Sequence, residues 1–304
     1  MNDELGNRMK NKKFSVKCTI VIPDTHFQAP VNGGLVAPDF CHDPSAISLL
    51  FQVINDRRPD EIIHLGDICE MATVSAWTKS INREGQVRGT DGNWYQDAWS
   101  NSMGMVSRFW EYLRKTNPSI PFHQLEGNHD FWSDIAFTNP TLAPFAKTLA
   151  FRNQSVWKDC NIAYYPYNGD QKIHQPWVDI GQVRVLHGYK NVSAKRMRLE
   201  HDNVMYGHQH KILYDAWDAN SREMRRSWCI GCLTKLKPDY NSRGGAQNGW
   251  AQAFGVIYTM PDGTFSIRVV EITNGRIVDF DGKSYFPKPL WEIDPSLRNL
   301  ELPS

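Results

Sequence analysis

Nowhere does this 304-residue chain run apolar for the roughly 20 positions that a membrane-spanning helix needs, so no membrane partner is expected. The opening stretch MNDELGNRMKNKKF is polar and charged and lacks the apolar core of a secretory leader, which makes a cytoplasmic protein the expectation. Charge of one sign is also missing. With 34 Lys and Arg against 33 Asp and Glu, the formal net charge is +1. That balance removes any global attraction to nucleic acid or anionic lipid, although a local groove can still be charged. Cysteine is sparse, and without a leader the six thiols read as free rather than as a disulfide framework. Cys229 and Cys232 form a single CxxC, which is at most half of a four-ligand zinc site. Both are therefore expected to pack in a strand or turn. Internal repeats and low-complexity segments are absent.

What is present is a globular composition, 41% hydrophobic and 22% charged, in a chain long enough for one large domain or two small ones. Helical periodicity covers residues 43–56, with Asp43 or Ser45 placed to cap, and again 97–115 and 193–201. Short β-branched or apolar runs at 16–23, 61–65, 121–125, 177–186, with a turn near Gly181, and 203–206 read as strands. Three more lie at 227–233, 250–258 and 265–272, whereas the Pro-rich stretch after about residue 281 has no clear period.

The telling feature is how the first five runs end. Their carboxyl ends carry Asp24-Thr25-His26, Gly66-Asp67, Gly127-Asn128-His129-Asp130, His187-Gly188 and Gly207-His208-Gln209-His210. In open α/β sheets, sites form beyond the carboxyl ends of strands, so five such ends can converge on one place. Imidazole, carboxylate and amide oxygen are ligands for manganese, iron, zinc or cobalt, and no thiol is required. The count fits two ions, and one Asp can bridge them. Ions about 3.5–4 Å apart form a clamp suited to in-line displacement at phosphorus. Two divalent ions less Asp24, Asp67 and a bridging hydroxide leave a positive remainder, which suits a phosphate oxyanion. The adjacent glycines let backbone turn sharply and come close to an ion.

These blocks, D-x-H, GD, GNHD, HG and GHxH, occur in this order over residues 16–212 and resemble those of the calcineurin-like metallophosphoesterases. The resemblance implies an α/β fold, a two-sheet β-sandwich flanked by helices in four αββα layers. It implies a domain spanning 14–281 with insertions near 75–118 and 131–175, between a flexible tail at 1–13 and a C-terminal tail at 282–304. It also implies two divalent ions, with manganese favoured and iron, zinc, cobalt or nickel as alternatives. One would be held by Asp24, His26 and His210, the other by Asn128, His187 and His208, with Asp67 as the bridge. A hydroxide bridging the ions would attack phosphorus in line. His129 would stand near the leaving group, oriented by Asp130, and Glu70 would have a supporting role.

The substrate implied is a phosphate ester. Protein phosphatases of this superfamily carry arginines after the second and third blocks, where this chain has Glu70-Met71 and Phe131-Trp132. That departure favours a diester over a monoester, with nucleotides or nucleic acid as candidates. A phosphomonoesterase, a nuclease, and a non-catalytic metal-binding scaffold are the alternatives, and the oligomeric state stays open. The remaining histidines, His42, His64, His123, His174 and His201, are expected to be structural. So are Trp94, Trp99, Trp110, Trp132, Trp157 and Trp177, which would pack the insertions. Lys190, Lys195, Arg196 and Arg198 are read as a solvated helix face.

Overall fold

The computed structural model describes residues 15–28, 41–70, 93–131, 150–167, 175–217, 224–236 and 249–301. The expected tail at 1–13, much of both expected insertions, and the side chains of His174, Trp94 and Trp132 lie outside the described residues.

Two sheets carry the fold. The first has the order β11-β10-β1-β2-β3-β4, and the second β5-β6-β7-β9-β8. In the first, β1 (Lys17–Ile22), β2 (Glu61–His64), β3 (Phe122–Leu125) and β4 (Ile162–Tyr165) run parallel. The antiparallel pair β10 (Gln252–Thr259) and β11 (Phe265–Ile272) is added beside β1. In the second sheet β6 (Val183–Leu186), β7 (Asn203–Tyr206) and β9 (Arg225–Ile230) are parallel, with β5 (Trp177–Ile180) and β8 (Ile212–Trp217) antiparallel at the edges.

Side-chain alternation explains why both sheets are covered on both faces. On β1, Val21 points to the second sheet while Ile20 and Ile22 point to the helices; on β2, Ile63 and Ile62 divide in the same way. On β7, Met205 faces inward, whereas Val204 and Tyr206 face the opposite layer. The inter-sheet core joins Val21, Ile63, Leu125, Val185, Met205, Ile230 and Ile257. Helices α1 (Pro44–Arg57) and α2 (Asn93–Thr116) cover the first sheet, and α4 (Ala194–His201) covers the second. A single turn, α3 (Val156–Asp159), precedes β4. The result is the expected four-layer αββα arrangement. Asp43 caps α1 by accepting from the Ser45 and Ala46 amides.

Three expectations need correction. Residues 93–116 form a long helix whose Val106, Phe109, Trp110 and Leu113 are fully buried against the first sheet, so this part of the first insertion is core. Residues 162–165 of the second insertion are strand β4 of the main sheet, ordered by parallel pairing with β3. The C-terminal stretch is no tail up to residue 301. After the hairpin β12 (Ile277–Phe280) and β13 (Lys283–Tyr285), α5 (Leu290–Ile293) and a 3-10 turn at Pro295–Leu300 bury Leu290, Leu297 and Leu300 completely. The Leu300 carbonyl accepts from His42 at 2.7 Å. No helix among the described residues is long and apolar enough to cross a membrane.

If this C-terminal anchor is part of the core, Leu297→Ala should destabilise the chain by about 2–5 kcal/mol in urea unfolding. A loss below about 0.5 kcal/mol would show a dispensable surface strap.

Candidate metal centre

Five loops leave the carboxyl ends of β1, β2, β3, β6 and β7 and meet above the inter-sheet core. Backbone hydrogen bonds lace the first two together: His26 N–H donates to the Asp67 carbonyl at 3.0 Å and Phe27 N–H to that of Ile68 at 2.7 Å. The Gly207 N–H donates to the His187 carbonyl at 2.9 Å, which couples the last two. Carboxylates complete the lacing. Asp24 accepts from the His208 N–H at 2.9 Å, and Asp67 from the His129 N–H at 2.8 Å. Close approach requires glycine at two of these places. A Cβ on Gly127 would lie 2.2 Å from Asp67 Oδ1, and one on Gly207 2.3 Å from Asp24 Oδ2.

The donor atoms converge. His210 Nε2 lies 3.3 Å from Asp24 Oδ1 and 3.2 Å from His26 Nε2. His187 Nε2 lies 3.3 Å from Asp67 Oδ2, 3.0 Å from Asn128 Oδ1 and 3.2 Å from His208 Nδ1. His26 Nε2 links the groups, 4.0 Å from Asp24 Oδ1 and 3.9 Å from Asp67 Oδ2. Asp24-His26-His210 and Asp67-His187-His208 each fall within the span of one ion, and so does His26-Asp67-His129. Ligand atoms about 2.1 Å from one ion stand roughly 3–3.5 Å apart, so the spacing fits metal binding. The burial fits as well, because Asp24 and His187 are inaccessible to water and Asp67 and His26 nearly so. Buried carboxylates this close need compensating cations.

His26, Asp67, His208 and His210 all have positive φ, between 50 and 63°. Non-glycine residues adopt this region rarely, and such strain clusters at functional sites.

The electrostatics are interlocked. Burial works against the charge on Asp24 and Asp67, but neighbouring histidines prevail, His187 foremost, and hold both well below the usual carboxylate range. Burial lowers His26, yet Glu70, Asp67 and Asp24 together raise it to about 9. His187 is likewise raised to about 9, by Asp67 and Asp24 against burial. His208 is driven down to about 3 by burial and by His187. Burial and the Asp67 charge push Asp130 up to about 8.

Two expected roles meet different surroundings. His129 Nδ1–H donates to the Glu70 carbonyl at 2.7 Å. Asp130 instead accepts from the Gly127 N–H at 3.0 Å, the Cys69 N–H at 3.1 Å and the Ile68 N–H at 3.4 Å, bracing the second block against the third. The Glu70 carbonyl thus holds the His129 ring, and Asp130 braces the loop beside it. Glu70 also holds His26: Nδ1–H donates to Glu70 Oε2 at 2.5 Å and leaves Nε2 facing the cluster. Only the acidic spacing after Asp67 signals this in the sequence. Trp250, whose ring centroid is 4.4 Å from that of His210, carries no sequence signal of site contact.

The histidines expected to be structural are so where described. His64 Nε2–H donates to Thr25 Oγ1 at 3.2 Å, and its Nδ1 accepts from the Gly66 N–H at 3.1 Å. His123 pairs with Glu61 at 2.9 Å and Tyr165 at 3.0 Å, at the far end of the strands. Cys229 and Cys232 are buried free thiols, raised to about 12 chiefly by desolvation.

An αββα sandwich with carboxylate and imidazole donors gathered at its strand ends could hold metal ions there. Residues 19–212 match the calcineurin-like phosphoesterases, and the chain belongs to that family. The gene 54 proteins of mycobacteriophages D29 and L5 are each 24% identical, over 260 and 263 residues, 83% of this chain and 94% of theirs. Among solved structures, the chain is similar to the nuclease MPE of Pseudomonas putida (TM-score 0.34, 12% identity, 79% of this chain and 83% of that one). It is also similar to YfcE, a phosphoesterase from E. coli (TM-score 0.34, 14% identity, 84% and 100%).

The pKa pattern predicts proton release on metal binding. His26 and His187 carry protons below about pH 9 in the metal-free chain, and an ion requires them neutral. Mn²⁺ affinity should therefore climb from pH 7 to 9, and calorimetry in buffers of different ionisation enthalpy should count protons released. A pH-independent affinity with no proton release contradicts it.

Proposed function

We propose that this chain is a two-metal phosphodiesterase. In this reading Asp24, His26 and His210 would hold one ion and Asn128, His187 and His208 the other, with Asp67 available to both. When bound, such a pair of divalent ions supplies Lewis acidity toward the phosphoryl oxygens and a water acidic enough to attack near neutral pH. Manganese suits the mixed imidazole and oxygen donor set, and iron, zinc, cobalt or nickel remain compatible with it.

The chain's own groups do the rest. Asp67 and Asp24 fix the loops as well as the charge, so the centre is organised before substrate arrives. His129 is the proton donor to the leaving oxygen. Its Nδ1–H is committed to the Glu70 carbonyl, so it donates from Nε2 as the imidazolium and is left as the neutral Nδ1–H tautomer. Burial, the largest influence, lowers the His129 pKa, so the imidazolium is the minor but more acidic form, and the charges of Asp67 and Glu70 beside it favour its formation.

One observation carries the diester preference. After the second and third blocks, where protein phosphatases of this superfamily place arginines, this chain has Glu70-Met71 and Phe131-Trp132. With no guanidinium there, the extra charge of a monoester dianion is offset less than in those phosphatases, which favours a diester monoanion. The substrate class is then a phosphodiester, with nucleotides and nucleic acid included by chemistry alone.

The test is a panel of bis-aryl phosphate, mono-aryl phosphate, cyclic nucleotides and single-stranded DNA, with added Mn²⁺. A diester should exceed the monoester by at least about tenfold in kcat/KM, and His129→Ala should lose about 10²–10⁴ in kcat with both ions retained. Monoester preference overturns the substrate assignment. No turnover with two ions bound marks a binding scaffold, and full activity in His129→Ala removes its role.

A further inference from the structure

Imidazoles that bind metals ordinarily donate their second ring N–H to a carboxylate or carbonyl, which fixes the ring and strengthens the donor nitrogen. His26 has such a partner in Glu70. Among the described residues His210 has none: its Nδ1 is buried and makes no hydrogen bond, in a residue only 7% exposed. Two rings stand across it, that of His26, a member of the cluster, at 5.0 Å between centroids and 76°, and nearer the indole of Trp250, at 4.4 Å and 71°.

The indole is held there by backbone. Ala251 N–H, next to Trp250, donates to the His210 carbonyl at 2.8 Å. The Ala251 carbonyl accepts from Cys232 N–H at 3.0 Å, and Gly231, at φ 74°, leaves room for it where a Cβ would come within 2.5 Å. The segment leading into β10 is thus pinned to the end of β9 and to the loop that carries His210. Trp250 itself is half-buried, at the rim of the cluster.

From the unpartnered Nδ1 and the perpendicular ring together, we infer that Trp250 is the positioning residue of His210, receiving its Nδ1–H on the indole π-face in place of a carboxylate. An N–H···π contact is weaker than a hydrogen bond to a carboxylate, so His210 is the softer-held ligand of its ion and His26 the firmer. The affinity of that ion is then set from a segment outside all five sequence blocks. His187 Nδ1 also lacks a hydrogen bond, but among the described residues the ring against it is that of His208, a member of the cluster.

This inference rests on the two-ion reading, and the experiment separates them. Mn²⁺ titration monitored by calorimetry and electron paramagnetic resonance is run on wild type, Trp250→Phe and Trp250→Leu. Wild type should bind two ions and show an exchange-coupled signal; failure to do so overturns the two-ion reading and this inference with it. In Trp250→Leu one ion should weaken at least about tenfold, the size expected for loss of an outer-sphere partner. The other should hold, and a mononuclear signal should replace the coupled one at limiting metal. Trp250→Phe, which keeps a π-face, should recover most of the loss. Nuclear magnetic resonance of the metal-free chain adds a readout that needs no ion and no particular tautomer: ring current should move the His210 Hε1 proton, next to Nδ1, upfield in wild type and not in Trp250→Leu. Wild-type affinity in Trp250→Leu, or equal loss in the Leu and Phe variants, overturns the role of the indole. If Trp250→Leu does not fold, the Phe variant and the wild-type proton shift decide.

Discussion

Two carboxylates taken out of water, Asp24 and Asp67, constrain this molecule more than any other feature. Isolated, either charge would be untenable at such depth. Both stay ionised because imidazoles surround them and because backbone N–H groups of His208 and His129 point at them. The same carboxylates therefore serve as loop ties and as the charge a cation would answer. Remove the charge and the loops lose their ties; loosen the loops and the donor atoms no longer meet.

This double use explains the strained backbone. His26, Asp67, His208 and His210 take left-handed φ values so that side chains leaving separate strand ends can turn toward one point. The two-sheet core beneath supplies rigidity to hold such conformations. Around that cluster lies a further layer, Glu70 on His26 and His129, Asp130 across the second and third loops, and Trp250 on His210. The proposed chemistry uses this layer as much as the ligands, since geometry a fraction of an ångström off weakens both metal binding and proton transfer.

Much of this is legible in the sequence. Strand-then-glycine-then-ligand patterns are local, so the convergence of Asp24, His26, Asp67, Asn128, His187, His208 and His210 can be read without a fold. The four layers come from strands apolar on both faces. The misses share a cause, which is that tertiary context decides them. Strand β4, IAYY, is ordered by pairing with β3. β8, ILYDAW, is mostly half-exposed and owes its strand to β9. The C-terminal leucines have no period because each fills a separate gap against α1 and α2. Trp250 lies 40 residues from His210, and no spacing rule joins them.

The central claim is that one buried cage holds two ions with Asp67 between them. A crystal grown with Mn²⁺ and measured at the manganese absorption edge tests it directly. The account predicts two anomalous peaks about 3.5–4 Å apart, one beside Asp24, His26 and His210, the other beside Asn128, His187 and His208, with an Asp67 carboxylate on both. A single peak, or peaks away from these side chains, would contradict it.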